Sequence, residues 1–275
     1  MILLLVACAD DVGPPPDTGS PEEVAFDVCA EGVDASGEPT GVADCTDAVC
    51  EIPGGSFVMG RSDPATPDRC PARDVELDSF AMDRTEVTVE AWEACVTAGA
   101  CAELPFCESE APRIGEPSQV PASCVSWENA LSYCEWVGGR LPTEAEWERA
   151  ARGTEGTTYP WGEEPLDCDR ANYHFVVDLC EGGPIDVGSY PGGDSPEGLA
   201  DLAGNVFEWT ADYYDAGGYA DLDASNPTGA AEGTDRVLRG GAWNTRDEAL
   251  DSTARAFGSP ELQDANIGFR CVYGR

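Results

Sequence analysis

An acidic residue stands between two large aromatic residues in the segment GLADLAGNVFEWTAD, residues 198–212. A Gly-Asn turn precedes this site, and Glu208 lies between Phe207 and Trp209. A carboxylate among residues that favour burial must be ion-paired, hydrogen-bonded or bound to a metal, because an isolated buried charge is too costly to desolvate. The sequence therefore predicts a partner for Glu208, which could be a metal ion, hydrogen-bond donors or an arginine such as Arg239.

The cysteines are the second group of residues that could do chemistry. The chain has 13 of them in 275 residues, which is typical of an oxidising compartment. The opening MILLLVAC resembles a bacterial lipobox, in which Cys8 would be lipidated after signal cleavage, although no basic residue precedes the apolar run. Lipidation of Cys8 would leave an even number of cysteines. A chance apolar start is the alternative.

Membrane attachment is predicted only through this anchor, because no later apolar stretch is long enough to span a bilayer. We therefore expect a protein of the bacterial cell envelope or the extracellular space, lipid-anchored at Cys8.

His174 is the only histidine, and this excludes several classes of active site. A Ser-His-Asp triad could use only this residue, and no G-x-S-x-G motif accompanies it. Iron or zinc sites with several histidines cannot be built. We expect His174 to be a surface or packing residue.

The charge of the chain is strongly negative. The formal net charge is -38, and all 15 basic residues are arginine because the sequence contains no lysine. Such a surface repels nucleic acids and anionic lipids, so binding to either through a basic patch is not expected.

The elements that must position these residues lie in the second part of the chain. We divide the sequence into a signal or lipobox remnant (1–8), an acidic tether rich in Pro and Gly (9–49) and a globular domain (50–275). The domain contains three helical patterns, which stop near Gly99, Gly138 and Gly153. Beyond the third, turn signals and short aromatic strands predominate. The pattern indicates an α+β domain with much irregular loop.

A series of motifs then resembles the formylglycine-generating enzyme (sulfatase-modifying factor) family. The motifs occur in that family's order over roughly residues 51–273, and they include GGSFVMG, VSWENALSYCEWVGGRLPTEAEWERAARG, GLADLAGNVFEWTADYY, RVLRGGAWN and NIGFRCV. The resemblance implies an irregular α+β fold related to C-type lectins, with little regular secondary structure and with structural calcium.

The resemblance also implies two calcium sites. Calcium takes six to eight oxygen ligands, including backbone carbonyls, so a tight loop can supply several of them. The first implied site uses Asp201, Gly204, Val206 and Glu208. The second maps to Asn172 and Tyr173, with Asp178 and Cys180 aligned less securely.

The resemblance bears on the cysteines in two further ways. It implies a disulfide bond between Cys134 and Cys271. It also implies that an active member would hold copper(I) with two thiolates, which suit this soft ion. That pair would lie in residues 239–260, and this span contains no cysteine, so we do not expect copper.

The sequence therefore favours a non-catalytic binding or scaffold module with an extracytoplasmic protein, peptide or glycan ligand. The groove that receives a peptide in the family would lie near Trp243, Asn244 and Arg255, although Trp243 could equally be a core residue. One alternative is an oxidase of the formylglycine-generating type that converts a protein cysteine with a relocated thiol pair, for example two cysteines of residues 95–124. Another is a calcium-dependent, lectin-like glycan binder.

Overall fold

Three short α-helices and many short strands make up the described part of the protein. The computed structural model describes residues 43–45, 48–104, 115–116, 118–175 and 178–274. Its α-helices are α1 (Val89–Thr97), α2 (Trp127–Trp136) and α3 (Glu144–Arg152). In these ranges no helix is both long enough and apolar enough to cross a bilayer. The predicted α+β class with extensive irregular loops is confirmed.

The helices end close to the predicted glycines, and their N-terminal caps are local. The side chains of Thr88 and Ser126 accept hydrogen bonds from the first turns of α1 and α2. Thr143 and Glu146 form a reciprocal capping box at the start of α3, and Gly153 ends that helix with a positive φ. Each N-terminal cap satisfies an N–H group that the helix itself leaves unpaired, and the Gly153 N–H donates to the Arg149 carbonyl.

The strands are β1 (Asp44–Cys45), β2 (Val49–Ile52), β3 (Gly55–Met59), β4 (Arg73–Leu77), β5 (Phe80–Asp83), β6 (His174–Phe175), β7 (Asp178–Leu179), β8 (Phe207–Tyr213), β9 (Arg236–Arg239), β10 (Ala256–Gly258), β11 (Ile267–Gly268) and β12 (Val272–Tyr273). Among the described residues they form two four-stranded sheets, with the orders β1-β2-β5-β12 and β10-β9-β8-β11, and the two-stranded sheets β3-β4 and β6-β7.

The folded domain begins slightly before the boundary predicted from composition. Strand β1 begins at Asp44 and pairs antiparallel with β2, so the division between residues 49 and 50 falls inside a strand. A disulfide bond joins Cys45 to Cys50 across this pair. The last residues of the acidic segment are therefore part of the folded domain.

Strand β8 organises the region around Glu208. It pairs antiparallel with β9, where Glu208 lies opposite Arg239, and parallel with β11, where Glu208 lies opposite Gly268. Trp209 on β8 and Trp147 on α3 are both completely buried. The helix and the sheet therefore enclose Glu208 in the core.

Disulfide bonds tie the loops to these elements. In the described part of the chain the resolved pairs are Cys45–Cys50, Cys95–Cys101, Cys134–Cys271 and Cys168–Cys180. Cys70 and Cys124 are disulfide-bonded as well. The predicted lipidation site, Cys8, lies outside the described residues.

Candidate functional site

The partner of Glu208 is Arg270. The Arg270 Nη2 donates to Glu208 Oε1 at 2.7 Å, and its Nε donates to Oε2 at 2.7 Å. The Trp147 indole Nε1 also donates to Oε2, at 2.9 Å. Both carboxylate oxygens are therefore satisfied by a bidentate arginine and an indole, and this explains how an acid can lie among buried aromatic residues.

The suggested partner Arg239 was the wrong arginine. Although Arg239 lies opposite Glu208 in the strand register, its Nη2 donates to Glu148 Oε2 at 2.6 Å. Its Nη1 and Nη2 also donate to backbone carbonyls of residues 252–254, and its buried Nε has no acceptor among the described residues. Glu148 and Arg239 are both completely buried and form an ion pair with each other. Arg239 is therefore not the partner of Glu208.

The Glu208 side chain is engaged within the protein at the position where the family resemblance implies calcium. Its two oxygens accept three N–H groups, and the Arg270 guanidinium already supplies a compensating positive charge. Oε1 accepts only one of these N–H groups, so the carboxylate keeps acceptor capacity beside the buried arginine. The carboxylate is an ion-pair partner, and its role as a calcium ligand stays a prediction.

A buried polar cluster centred on Asn205 fits a cation better. The Asn205 side chain donates to Glu86 Oε1 at 3.1 Å, and its Oδ1 lies 3.4 Å from Asn172 Nδ2. Glu86 Oε2 and Asn172 Oδ1 are buried and have no hydrogen-bond donor among the described residues. Burial and the neighbouring Asp201 charge raise the pKa of Glu86 well above its usual range. A cation bound here would provide a partner for the two oxygens that lack donors and would compensate the charge of the neighbouring carboxyl groups.

The two predicted metal sites meet at this cluster. Gly204, with a φ of 88°, packs directly on the backbone of Asn172, where a side chain would collide with the carbonyl oxygen. Asn205 N–H donates to that same carbonyl at 2.9 Å. The structure therefore brings the loop of residues 201–206 against Asn172, although the two segments are separated in sequence.

The other predicted ligands lie on or beside the β6-β7 hairpin. The carbonyl of Tyr173 accepts a hydrogen bond from Cys180 N–H at 2.9 Å, and Asp178 lies opposite Phe175 in the register. Cys180 is bonded to Cys168. His174 begins this hairpin, partly buried, and its backbone N–H donates to Thr245.

Of the three residues predicted for a ligand groove, only Asn244 is exposed. Its Oδ1 accepts a hydrogen bond from Asn266 Nδ2 at 3.0 Å. Trp243 is half-buried, and its indole Nε1 is buried without an acceptor in the described part of the chain. Arg255 is almost completely buried, with 2% of its side chain exposed.

Arg255 is held by contacts within the protein, and its role in a ligand groove stays a prediction. Its Nε and Nη2 donate to the two oxygens of Glu144, at 2.7 and 3.0 Å. Its Nη1 donates to the carbonyls of Asp68 and Asp215. The guanidinium makes four hydrogen bonds within the protein, so few of its N–H groups remain for a ligand.

Two cavities are lined in part by Arg255. The larger has a volume of about 250 Å³ and is lined by Arg255 together with Arg69, Arg246 and a small apolar surface. The smaller, of about 120 Å³, is lined by Arg255 together with Glu144 and Tyr219. The sequence did not predict Arg69 or Arg246 as groove residues. Arg69 is far in sequence from the predicted groove residues and lies in a 3-10 turn at residues 67–69.

Asp212 on β8 is buried beside Glu144, and its carboxylate accepts the Glu144 backbone N–H at 2.8 Å. Burial, and then the Glu144 charge, raises the pKa of Asp212 to about 8. Between about pH 4 and 8 the folded state therefore keeps a proton that the unfolded state loses, so stability falls as pH rises, by up to about 1.4 kcal/mol per pH unit. We expect Asp212→Asn to flatten the pH profile of the unfolding free energy, measured with urea.

The exposed Asp223→Asn variant is the control for Asp212 and should keep the wild-type profile. An Asp212→Asn profile parallel to that of the wild type would contradict the prediction.

The chain matches the family model described as the sulfatase-modifying factor enzyme 1-like domain over residues 36–274. It is 32% identical to the formylglycine-generating enzyme of Thermomonospora curvata, over 80% of this chain and 91% of that protein. It is 31% identical to the inactive C-alpha-formylglycine-generating enzyme 2 of Bos taurus, over 82% of this chain and 87% of that protein.

Other relatives are longer proteins or are related in structure. The chain spans 24% to 37% of the length of the chlamydial serine/threonine-protein kinase Pkn1 proteins that it matches. The structure of PvdO from Pseudomonas aeruginosa is similar, with a TM-score of 0.70 and 27% identity over 86% of this chain and 98% of that chain.

Proposed function

This chain belongs to the sulfatase-modifying factor enzyme 1-like family, and we propose that it is an exported member that binds a ligand and does not catalyse the family's oxidation. The similarity itself favours neither an enzyme nor a binding protein, because one relative is named as an enzyme and another as inactive. Function must therefore be argued from the site.

The state of the cysteines carries the proposal. Residues 239–260, where the copper-binding pair would lie, contain no cysteine. Every cysteine in the part of the chain that the structure describes is disulfide-bonded. Copper(I) needs thiolates, and a disulfide sulfur cannot serve as one.

The described cysteines of residues 95–124 do not favour a relocated thiol pair. Of the cysteines in residues 95–124, Cys95 and Cys101 are bonded to each other, and Cys124 is also disulfide-bonded. Cys107 lies outside the described residues.

The proposed location outside the cytoplasm rests on the same bonds. Several disulfides indicate an extracytoplasmic protein, since reducing compartments keep thiols free. Within that setting we propose lipid anchoring at Cys8 and a protein or peptide ligand. The proposed binding face lies near Trp243 and Asn244, where a buried indole N–H has no acceptor in the described residues.

We further propose that one structural calcium ion is bound at the Asn205 cluster. Asn172, Tyr173 and Asp201 would contribute oxygens, with Gly204 and Val206 available through their carbonyls. The further candidates are Glu208, Asp178 and Cys180. Isothermal titration of the chelator-treated protein should show calcium binding, and the melting temperature should rise with calcium. An Asn172→Ala variant should lose both effects, whereas calcium binding that is unchanged in this variant would contradict the site.

The non-catalytic proposal is tested by counting free thiols. The mature protein, purified from an oxidising compartment, is alkylated under denaturing and non-reducing conditions, and its intact mass is measured. We expect no adduct on the 12 cysteines other than Cys8. A reduced sample, which should take one adduct for each of these 12 cysteines, is the matched control. A reproducible pair of free thiols, with copper-dependent oxidation of a cysteine peptide, would overturn the proposal.

A further inference from the structure

The 250 Å³ cavity beside Arg255 has an unusual charge for this protein. Three of the chain's 15 arginines line it, and Glu248 is the one acidic residue among its described lining. The chain as a whole carries a formal charge of -38, so the cavity is a local positive region in a strongly negative molecule. An anionic ligand would be repelled by most of the surface and attracted here.

Two of the three arginines are available to a ligand. Arg246 is exposed and forms no ion pair with any described residue. Arg69 is loosely held, because its nearest carboxylate oxygens, on Asp68 and Asp251, are both 4.0 Å away. Its buried Nε has no acceptor among the described residues. Such a donor carries a desolvation cost that an acceptor would relieve.

Arg255 has a different role in the same cavity. Its bidentate pairing with Glu144 holds the guanidinium in place and neutralises its charge. The Asp251 carboxylate next to Arg69 is engaged by Arg61, at 2.8 Å. The least compensated positive charge at the cavity therefore belongs to Arg246, which has no ion pair among the described residues, and to Arg69, whose two carboxylate contacts are both 4.0 Å long.

The rest of the lining is small and apolar. Ala249, Ala254 and Ala256 leave space along the wall, and Phe207 adds an aromatic surface. The volume lies just below the range of about 300–1,000 Å³ that is usual for drug-sized ligands. The cavity therefore suits one anionic group that carries a short apolar body.

We propose that this cavity is a recognition site for a small carboxylate, supplied either by the C-terminus of a peptide or by a free organic acid. Arg69 and Arg246 bind the carboxylate with their planar guanidinium groups, and the alanine wall receives the apolar part. Glu248 disfavours a doubly charged anion such as sulfate. The inference rests on the proposed function, since it names the ligand class of that binding module.

The test is isothermal titration of the purified mature protein with N-acetyl-glycyl-alanine, its C-terminal amide, isobutyrate and sodium sulfate. We expect the free acid to bind at least tenfold more tightly than the amide. Tighter binding of the peptide acid than of isobutyrate identifies a peptide C-terminus, and equal binding identifies a free acid; both support the site. Amide or sulfate binding as tight as that of the acids, or no binding of either acid at millimolar concentration, would overturn it.

Variants locate the site and separate binding from folding. Arg246→Gln changes an exposed residue, so its melting temperature should stay that of the wild type while affinity falls roughly tenfold. Arg69→Gln should weaken binding by a similar factor. Arg170→Gln, which removes the same charge outside the cavity lining, is the matched control and should bind as the wild type does. Unchanged affinity in Arg246→Gln and Arg69→Gln would contradict the site.

This experiment is independent of the thiol count. Failure of carboxylate binding in a protein without free thiols removes the site and leaves the non-catalytic proposal standing. Free thiols in a protein that binds carboxylates overturn the non-catalytic proposal and leave the site.

Discussion

Glu208→Ala is expected to lower the free energy of unfolding by about 3–5 kcal/mol, because it leaves the buried Arg270 guanidinium without its counter-charge. Arg270 has no exposed surface, and two of its three nitrogens donate to Glu208. The Trp147 indole N–H would lose its acceptor at the same time. Urea unfolding followed by tryptophan fluorescence gives the free energy directly.

A double-mutant cycle shows whether the ion pair is the cause. Glu208→Gln with Arg270→Met removes both charges, so we expect the double variant to be much less destabilised than the sum of the two single changes. Additive losses would contradict the assignment of Arg270 as the partner. Calcium titration of the same variant tests the predicted metal role of Glu208 separately from its ion pair. A calcium effect lost in Glu208→Ala would assign the carboxylate to the metal site, and an equal effect in both proteins would contradict that role.

The second large effect is expected from the disulfide bond that joins α2 to the C-terminal strand region. Cys134 and Cys271 are separated by 137 residues in sequence, and both are completely buried. In the chain-entropy model a bond that closes so long a loop restricts the unfolded state strongly. We expect Cys134→Ser with Cys271→Ser to lower the free energy of unfolding by about 4–5 kcal/mol, measured with urea under non-reducing conditions.

The Cys95–Cys101 bond provides the matched comparison. Its cysteines are 6 residues apart, and the same entropic model assigns about 2 kcal/mol to so short a loop. The variant with both of these residues changed to serine should therefore be clearly more stable than the long-loop variant. Equal losses, or a larger loss from the short loop, would contradict the prediction.

The helices could be predicted because their signals are local. Thr143 and Glu146 are three residues apart, and their capping box depends only on the first turn of α3. Gly153 ends the same helix because it adopts a positive φ without the steric cost of a side chain. The α+β class followed from these signals together with the turn-rich remainder, and the family followed from the order of the motifs.

The partners of the buried charges could not be predicted in this way. The sequence predicted a partner for Glu208 because desolvation applies wherever a carboxylate is buried. The choice between Arg239 and Arg270 depended on packing: Arg239 is opposite in the strand register and yet binds Glu148 from α3. Arg255 likewise looked available in sequence, and Glu144 occupies it.

By itself, then, the sequence determined the helices, the fold class, the family, the absence of cysteine from residues 239–260 and the need of Glu208 for a partner. Each of these depends on nearby residues, on motif order or on composition. Only the tertiary structure decided that Arg270 is that partner and that Arg69 joins Arg246 at one cavity. These outcomes depend on which side chains meet across distant segments, and sequence separation carries no information about that.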